Sequence, residues 1–170
     1  LSDLAVHRLD LVLSDRPVPA GLNVRAYHHL LGGSGVSMFA APSLAKSLKK
    51  RFPQSLKGAP FLMSANSPAL RSQLEEWFDA QDIAPVIVGE FDDSALMKSF
   101  GQAGVGVFAG PTTLEAEICQ MYRVQTLGPV PNVQERFYAI SPERKLKHPA
   151  IVAITERARE TIFAQRSEAA

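Results

Sequence analysis

Four short clusters of polar residues stand where an apolar run gives way to a turn or a helix-like pattern. Ser64, Asn66 and Ser67 follow the run that starts at Ala59, and Asp92 and Asp93 follow Pro85-Val-Ile-Val-Gly-Glu-Phe91. Thr112 follows Gly104-Val-Gly-Val-Phe-Ala-Gly-Pro111, and Ser14 with Asp15 closes Arg8-Leu-Asp-Leu-Val-Leu13. Hydroxyl, amide and carboxylate oxygens at helix starts accept hydrogen bonds from free backbone amides, and the same amides attract anions. In an open α/β sheet, helix starts gather at the carboxyl ends of the strands, where ligands collect. The chemistry implied is the binding of a small molecule or ion, not turnover.

Catalytic patterns fail one by one. Gly32-Gly-Ser-Gly35 lacks the glycine two positions after the serine that a nucleophile elbow needs, because that position is Val36. His28 and His29 are adjacent, while His7 and His148 stand far apart, and no His, Cys, Asp and Glu set has zinc spacing. Gly101, Gly104, Gly106 and Gly110 follow a helix instead of a strand, so they read as a helix end entering a tightly packed strand and not as a dinucleotide fingerprint. Asp92 and Asp93 could form an acid/base pair, but a position just before a helix favours capping. The single cysteine, Cys119, excludes an intramolecular disulfide, is compatible with a cytoplasmic compartment, and has no basic neighbour to activate it. No enzyme is expected.

The elements that must position these residues can be read from periodicity. Residues 1–7 read as helix through Leu1, Leu4 and Ala5, and residues 8–15 as a short buried parallel strand. Pro17 to Gly21 is a loop, 22–31 carries mixed strand signals, and Gly32 to Gly35 reads as a turn. Val36 to Ala41 is an apolar strand stopped by Pro42. Residues 43–52 form a short basic helix whose Lys46, Lys49, Lys50 and Arg51 read as a solvated face, since no aromatics interleave.

Three strand–helix units follow. Ser67 is placed as N-cap with Pro68 at the first helical position, and Leu70, Leu74, Trp77 and Phe78 make a core-facing stripe. Leu96 and Phe100 mark the second helix, ended by Gly101 and Gly104, and Leu114, Ile118 and Met121 mark the third. Val124 to Leu127 and Arg136 to Ile140 are late strands separated by a Gly/Pro turn. Pro149 opens a long helix with Ile151, Ile154, Ala158 and Ile162 along one face.

Composition bounds the class. The 170 residues are 46% apolar and 21% charged, as in a soluble globular protein, and suffice for one domain or two small lobes. A net charge of +1 gives no strong pull toward nucleic acid or an acidic membrane. No apolar run approaches the roughly 20 residues needed to cross a bilayer. Residue 1 is Leu within what reads as mid-helix, which suggests a piece of a longer chain.

In linear order the chain resembles the effector-binding domain of LysR-type transcriptional regulators. The resemblance rests on Leu9-Asp-Leu-Val-Leu13, Ser67-Pro-Ala-Leu-Arg71 with Trp77-Phe78, and the Pro85 to Phe91 run leading to Asp93-Ser-Ala-Leu96. It continues through Gly104-Val-Gly-Val-Phe-Ala109 with Pro111, Phe137-Tyr-Ala-Ile140 and His148-Pro-Ala150. Leu9 to Pro19 with Leu22-Asn-Val-Arg25, the Lys-rich helix and the run from Ile151 to Ala158 are most similar to the branch that activates sodium/proton antiporter genes.

The resemblance implies an α/β fold of two Rossmann-like lobes joined by crossover strands, like type 2 periplasmic binding proteins, with the effector between the lobes. On that analogy 1–37 is part of lobe I, 38–134 is lobe II, and 135–170 returns to lobe I. The family's N-terminal winged helix-turn-helix and the first strand, first helix and second strand of lobe I are not found in the sequence. Specific DNA binding is therefore not expected of this piece, and self-association to a dimer or tetramer is. Ser14, Asp15, Ser64, Asn66, Ser67, Asp92, Asp93 and Thr112 are the expected effector-binding residues. No cofactor is expected; the effector is a small molecule or, from the antiporter branch, Na⁺ or Li⁺ held by Asp15, Asp92 and Asp93. A periplasmic-type solute receptor or a small two-lobe α/β enzyme is the alternative.

Overall fold

A computed structural model describes residues 2–6, 8–18, 26–144, 146 and 148–163. His7, Leu22-Asn-Val-Arg25 and the end of the Pro17–Gly21 loop lie outside the described residues. The chain divides into two compact units, residues 1–34 with 135–170, and residues 35–134.

The 35–134 unit is a three-layer α/β sandwich. Its sheet runs in the order β6–β2–β5–β3–β4, with β2 at Tyr27–Ala40, β3 at Pro60–Ser64, β4 at Val86–Phe91, β5 at Val107–Pro111 and β6 at Gln125–Ser141. β3 pairs in parallel with both β4 and β5, whereas β2 runs antiparallel to β5. The helices are α2 (Pro42–Leu48), α3 (Pro68–Ala80), α4 (Ser94–Gln102) and α5 (Glu115–Tyr122).

Alternation along the strands sorts the core into two faces. Met38, Phe61, Met63 and Val107 pack with Leu74 and Phe78 of α3 on one face. Phe39, Leu62 and Phe108 pack with Met97 of α4 and Ile118 of α5 on the other. Each large side chain removed from water stabilises by about 1.5–3 kcal/mol, enough to fix which face each helix covers. The α3 stripe is buried at Leu70, Leu74, Trp77 and Phe78, as the 3.6-residue spacing predicts. Lys46, Lys49, Lys50 and Arg51 are exposed, a solvated face of α2 and the 3₁₀ turn that follows it.

In the other unit α1 covers Ser2–Ala5 and β1 covers Val12–Ser14. Among the described residues β1 pairs with β6 alone, antiparallel, from Val12 opposite Ile140 to Ser14 opposite Tyr138. The expectation of a buried parallel strand over residues 8–15 is therefore corrected. An edge strand has one neighbour, and Leu9 and Leu13 are left exposed.

Three further expectations are corrected by strand pairing. Gly32 to Gly35 is not a turn but lies inside the continuous strand β2. A Cβ at Gly32 would lie 2.4 Å from the Phe163 side chain, so glycine there makes room for a ring. The two late strands are one strand, β6, which runs through Gly128-Pro-Val-Pro131 and bends at Asn132 with φ 64°. A Cβ at Gly128 would meet the Phe52 ring at 2.7 Å. In both places residues with turn propensity serve close packing within a ladder.

The buried faces of the later helices also differ from the expected stripes. In α4 Met97 and Gly101 are buried while Leu96 and Phe100 are exposed, and Met121 of α5 is 71% exposed. Gly101 takes the Phe108 ring, 2.3 Å from where a Cβ would sit, and Gly104 (φ 81°) supplies the left-handed turn after the helix. The last helix, α6 (Pro149–Ala158), continues as a wider π turn through Phe163. It buries Thr155 and exposes Ile154 and Ile162. Burial of Thr155 is cheap because its hydroxyl donates within reach of the Ile151 and Val152 carbonyls, at 3.0 and 2.9 Å.

Candidate functional site

Parallel pairing of β4, β3 and β5 puts their carboxyl ends on one edge of the 35–134 unit. Ser64 at the end of β3 is level with Phe91 at the end of β4. The chain turns from β3 into α3 through Asn66 and Ser67, from β4 into α4 through Asp92 and Asp93, and from β5 through the 3₁₀ turn Thr112–Leu114 into α5. All six of the expected residues in this unit therefore stand at that edge.

Two of these connections are tied directly. The Asn66 side-chain amide donates to the Asp92 carbonyl, and the Ala65 amide donates to the Phe91 carbonyl at 2.8 Å. Asp93 is the N-cap of α4: its Oδ1 accepts from the Ala95 amide at 2.7 Å and from the Leu96 amide at 3.0 Å. Those amides, that of Leu96 foremost, hold the Asp93 carboxyl below the usual carboxylate range. Ser67 occupies the N-cap position of α3 ahead of Pro68, without a side-chain capping bond to that helix. One turn into α3, Arg71 reaches Glu75 at 2.8 Å and Glu90 of β4 at 3.0 Å, tying the helix to the strand beside the edge.

On the β5 side, Thr112 shares a hydrogen bond of 2.8 Å with Ser37 of β2. Ser37 is buried and is absent from the expected set. The signal that could have found it is a lone hydroxyl inside the apolar run Val36 to Ala41, because a buried hydroxyl requires a partner. The remaining expected residues belong to the other unit. Ser14 Oγ accepts from the Arg16 amide at 3.2 Å, and exposed Asp15 pairs with Arg16 at 3.6 Å.

Chemically, the edge of the 35–134 unit offers helix-start amides, an amide side chain, hydroxyls and the carboxylates of Asp92 and Asp93. It holds no nucleophile–base pair among the residues described. No group of three or more His, Cys, Asp or Glu side chains could hold a metal ion among the described residues. Cys119 is half-buried with its sulfur 3.5 Å from the Thr126 hydroxyl.

Polar groups at the carboxyl edge of a mixed sheet covered by helices on both faces define a ligand-sensing α/β domain of the type 2 periplasmic-binding-protein kind. The family model for the LysR substrate binding domain matches residues 1–162, and the chain belongs to that family. It is a regulatory, ligand-sensing domain of that family. It is 32% identical over 163 residues to the transcriptional activator protein NhaR of Escherichia coli K12, covering 96% of this chain and 53% of that protein. The chain thus spans about half the length of the curated relatives it matches.

Solved structures support the fold. The effector domain of the regulator AmpR of Pseudomonas aeruginosa superposes with a TM-score of 0.66 at 20% identity, over 93% of this chain and 73% of that one. The effector-binding domain of QuiR in complex with shikimate gives 0.60 at 18% identity, over 95% and 75%. No helix among the described residues is long and apolar enough to cross a membrane.

Proposed function

We propose that the chain senses a small effector for a DNA-binding transcription activator, and that the edge built from Ser37, Ser64, Asn66, Ser67, Asp92, Asp93 and Thr112 supplies groups that bind the effector. The observation that carries this reading is the convergence of three strand-to-helix connections on one edge, with two of them tied by the Asn66 to Asp92 hydrogen bond. DNA binding belongs to a winged helix-turn-helix outside this chain, self-association is to a dimer or tetramer, and the setting is the cytoplasm. Effector binding biases the conformational equilibrium of the domain, and it does so only by its differential affinity for the two states.

The resemblance to activators of sodium/proton antiporter genes makes Na⁺ or Li⁺ the first effector to test. A hard cation takes oxygen ligands. Asp93 Oδ1 is already engaged by α4, so Asp92, helped by carbonyl and hydroxyl oxygens of the same edge, is the carboxylate proposed for it. Isothermal titration of the chain with sodium and lithium chloride, against potassium chloride at equal ionic strength, tests this. Saturable heat confined to Na⁺ or Li⁺, and lost in Asp92→Asn, is expected. Equal heats for all three salts would remove the ion and leave a small organic effector at the same edge.

A further inference from the structure

Charge is segregated along the chain. Residues 16–74 contain eight Lys and Arg and no Asp or Glu, whereas all nine carboxylates of the 35–134 unit fall between Glu75 and Glu117. Half of that unit's eight cations, Lys46, Lys49, Lys50 and Arg51, lie within six residues of one another. The sheet converts this into a separation in space. The segment 41–59 joins the end of β2 to the start of β3. Phe39, near the end of β2, is opposite Phe108, near the start of β5, and Val107 of β5 is beside Phe61, near the start of β3. The basic segment therefore leaves and re-enters the sheet at its amino edge, opposite the carboxyl edge that carries Asp92 and Asp93.

Local packing displays these cations. Ala45 and Leu48 of α2 are buried, which leaves Lys46 and the 3₁₀ turn Lys49–Arg51 exposed. Lys57 pairs with Asp82 at 3.0 Å, but none of the four has an ion pair among the described residues. Like charges held together without acids repel one another, and a polyanion relieves that repulsion. The surroundings indicate which polyanion. No large apolar side chain between Leu30 and Val86 is exposed. A protein interface needs a desolvated, mostly apolar centre inside its polar rim, and that centre is missing here. No exposed aromatic ring accompanies the cluster either: Phe52 packs into the space a Cβ on Gly128 would take and against Trp77. Unstacked bases of a single strand would find nothing to stack on. Three ammonium groups and a guanidinium remain, which contact phosphate oxygens without reading sequence.

We propose that the basic amino edge of the 35–134 unit contacts the phosphate backbone of duplex DNA, without sequence preference, through Lys46, Lys49, Lys50 and Arg51. The proposal rests on the reading of the chain as part of a DNA-binding regulator, but its test needs no effector, so its failure leaves the carboxyl edge untouched. The anisotropy of a fluorescein-labelled mixed-sequence duplex of about 30 base pairs is followed as the purified chain is added, from about 20 mM salt upward. Saturable binding is expected, with log affinity falling against log salt at a slope of about −3 to −4 for four phosphate contacts. Replacing Lys49, Lys50 and Arg51 together by Gln should weaken binding about tenfold or more and make the slope shallower by about 2–3. Replacing Arg136, Arg144 and Arg157 together by Gln removes the same charge from exposed positions of the other unit, and should leave the slope unchanged. All six positions are exposed, so both variants keep the fold. The absence of saturable binding, an equal loss in the two variants, or tighter binding of poly-glutamate than of the duplex, which would make the partner an acidic protein, overturns the proposal.

Discussion

The carboxylate of Asp93 shows how a single residue serves both stability and site geometry. Two amides of α4 donate to it and lower its pKa. A lowered folded-state pKa means that its stabilisation is fully present above the ordinary carboxylate range and fades as pH falls through the folded value, below about pH 4. Asp93→Ala is expected to lower Tm by about 2–4 °C near neutrality and to flatten the acid limb of a plot of Tm against pH. Asp93→Asn keeps the accepting oxygen, so it should lose the pH dependence while retaining most of the cap. Scanning calorimetry between pH 2 and 7 decides, and an unchanged acid limb in both variants would refute the assignment. Ser37 and Thr112 make a complementary case. Ser37→Ala leaves the Thr112 hydroxyl short of a partner and should cost about 1–3 kcal/mol, whereas Ser37→Ala with Thr112→Val should cost less than the two single changes added together. A double-mutant cycle in urea measures the coupling, and strict additivity would mean the 2.8 Å bond contributes nothing.

Among the elements, glycine positions decide how closely helices approach the sheet. Gly101 lets the Phe108 ring, fully buried, lie against α4 where a Cβ would come within 2.3 Å. Gly101→Ala is therefore expected to destabilise by about 1–3 kcal/mol even though alanine has the better helix propensity. Urea unfolding should show a lower midpoint with an unchanged slope, and a stabilised variant would show that the ring moves aside freely. The same principle explains why two strands are longer than local signals suggest. Turn preference at Gly32 to Gly35 or at Gly128 to Asn132 is worth under about 1 kcal/mol per residue. A continuous ladder satisfies the backbone groups of the whole segment and outweighs it. The Phe163 and Phe52 rings that fill the glycine positions come from distant parts of the chain, so no local window contains the reason.

For the whole molecule, linkage supplies the functional test. A ligand that binds only the folded chain stabilises it by about 2.7 kcal/mol at a hundredfold excess over Kd. Tm in sodium or lithium chloride should accordingly exceed Tm in potassium chloride at equal ionic strength, and the difference should vanish in Asp92→Asn. A Tm that follows ionic strength alone would refute an alkali-ion effector. Much of what such a test probes was legible from sequence. The α3 stripe, the Pro68 start, the Asp93 cap and the six polar residues at the strand-to-helix connections of one unit all follow from local spacing and capping chemistry, which act within a turn or two of helix. The order of family motifs likewise carried the family membership. Three-dimensional packing alone decided that β1 is an exposed antiparallel edge, that β2 and β6 run unbroken, that α6 buries Thr155 instead of Ile154, and that Ser37 meets Thr112. Each of these depends on which distant strand, ring or hydroxyl arrives as a neighbour, and partners separated by up to about 130 residues leave no mark on local periodicity.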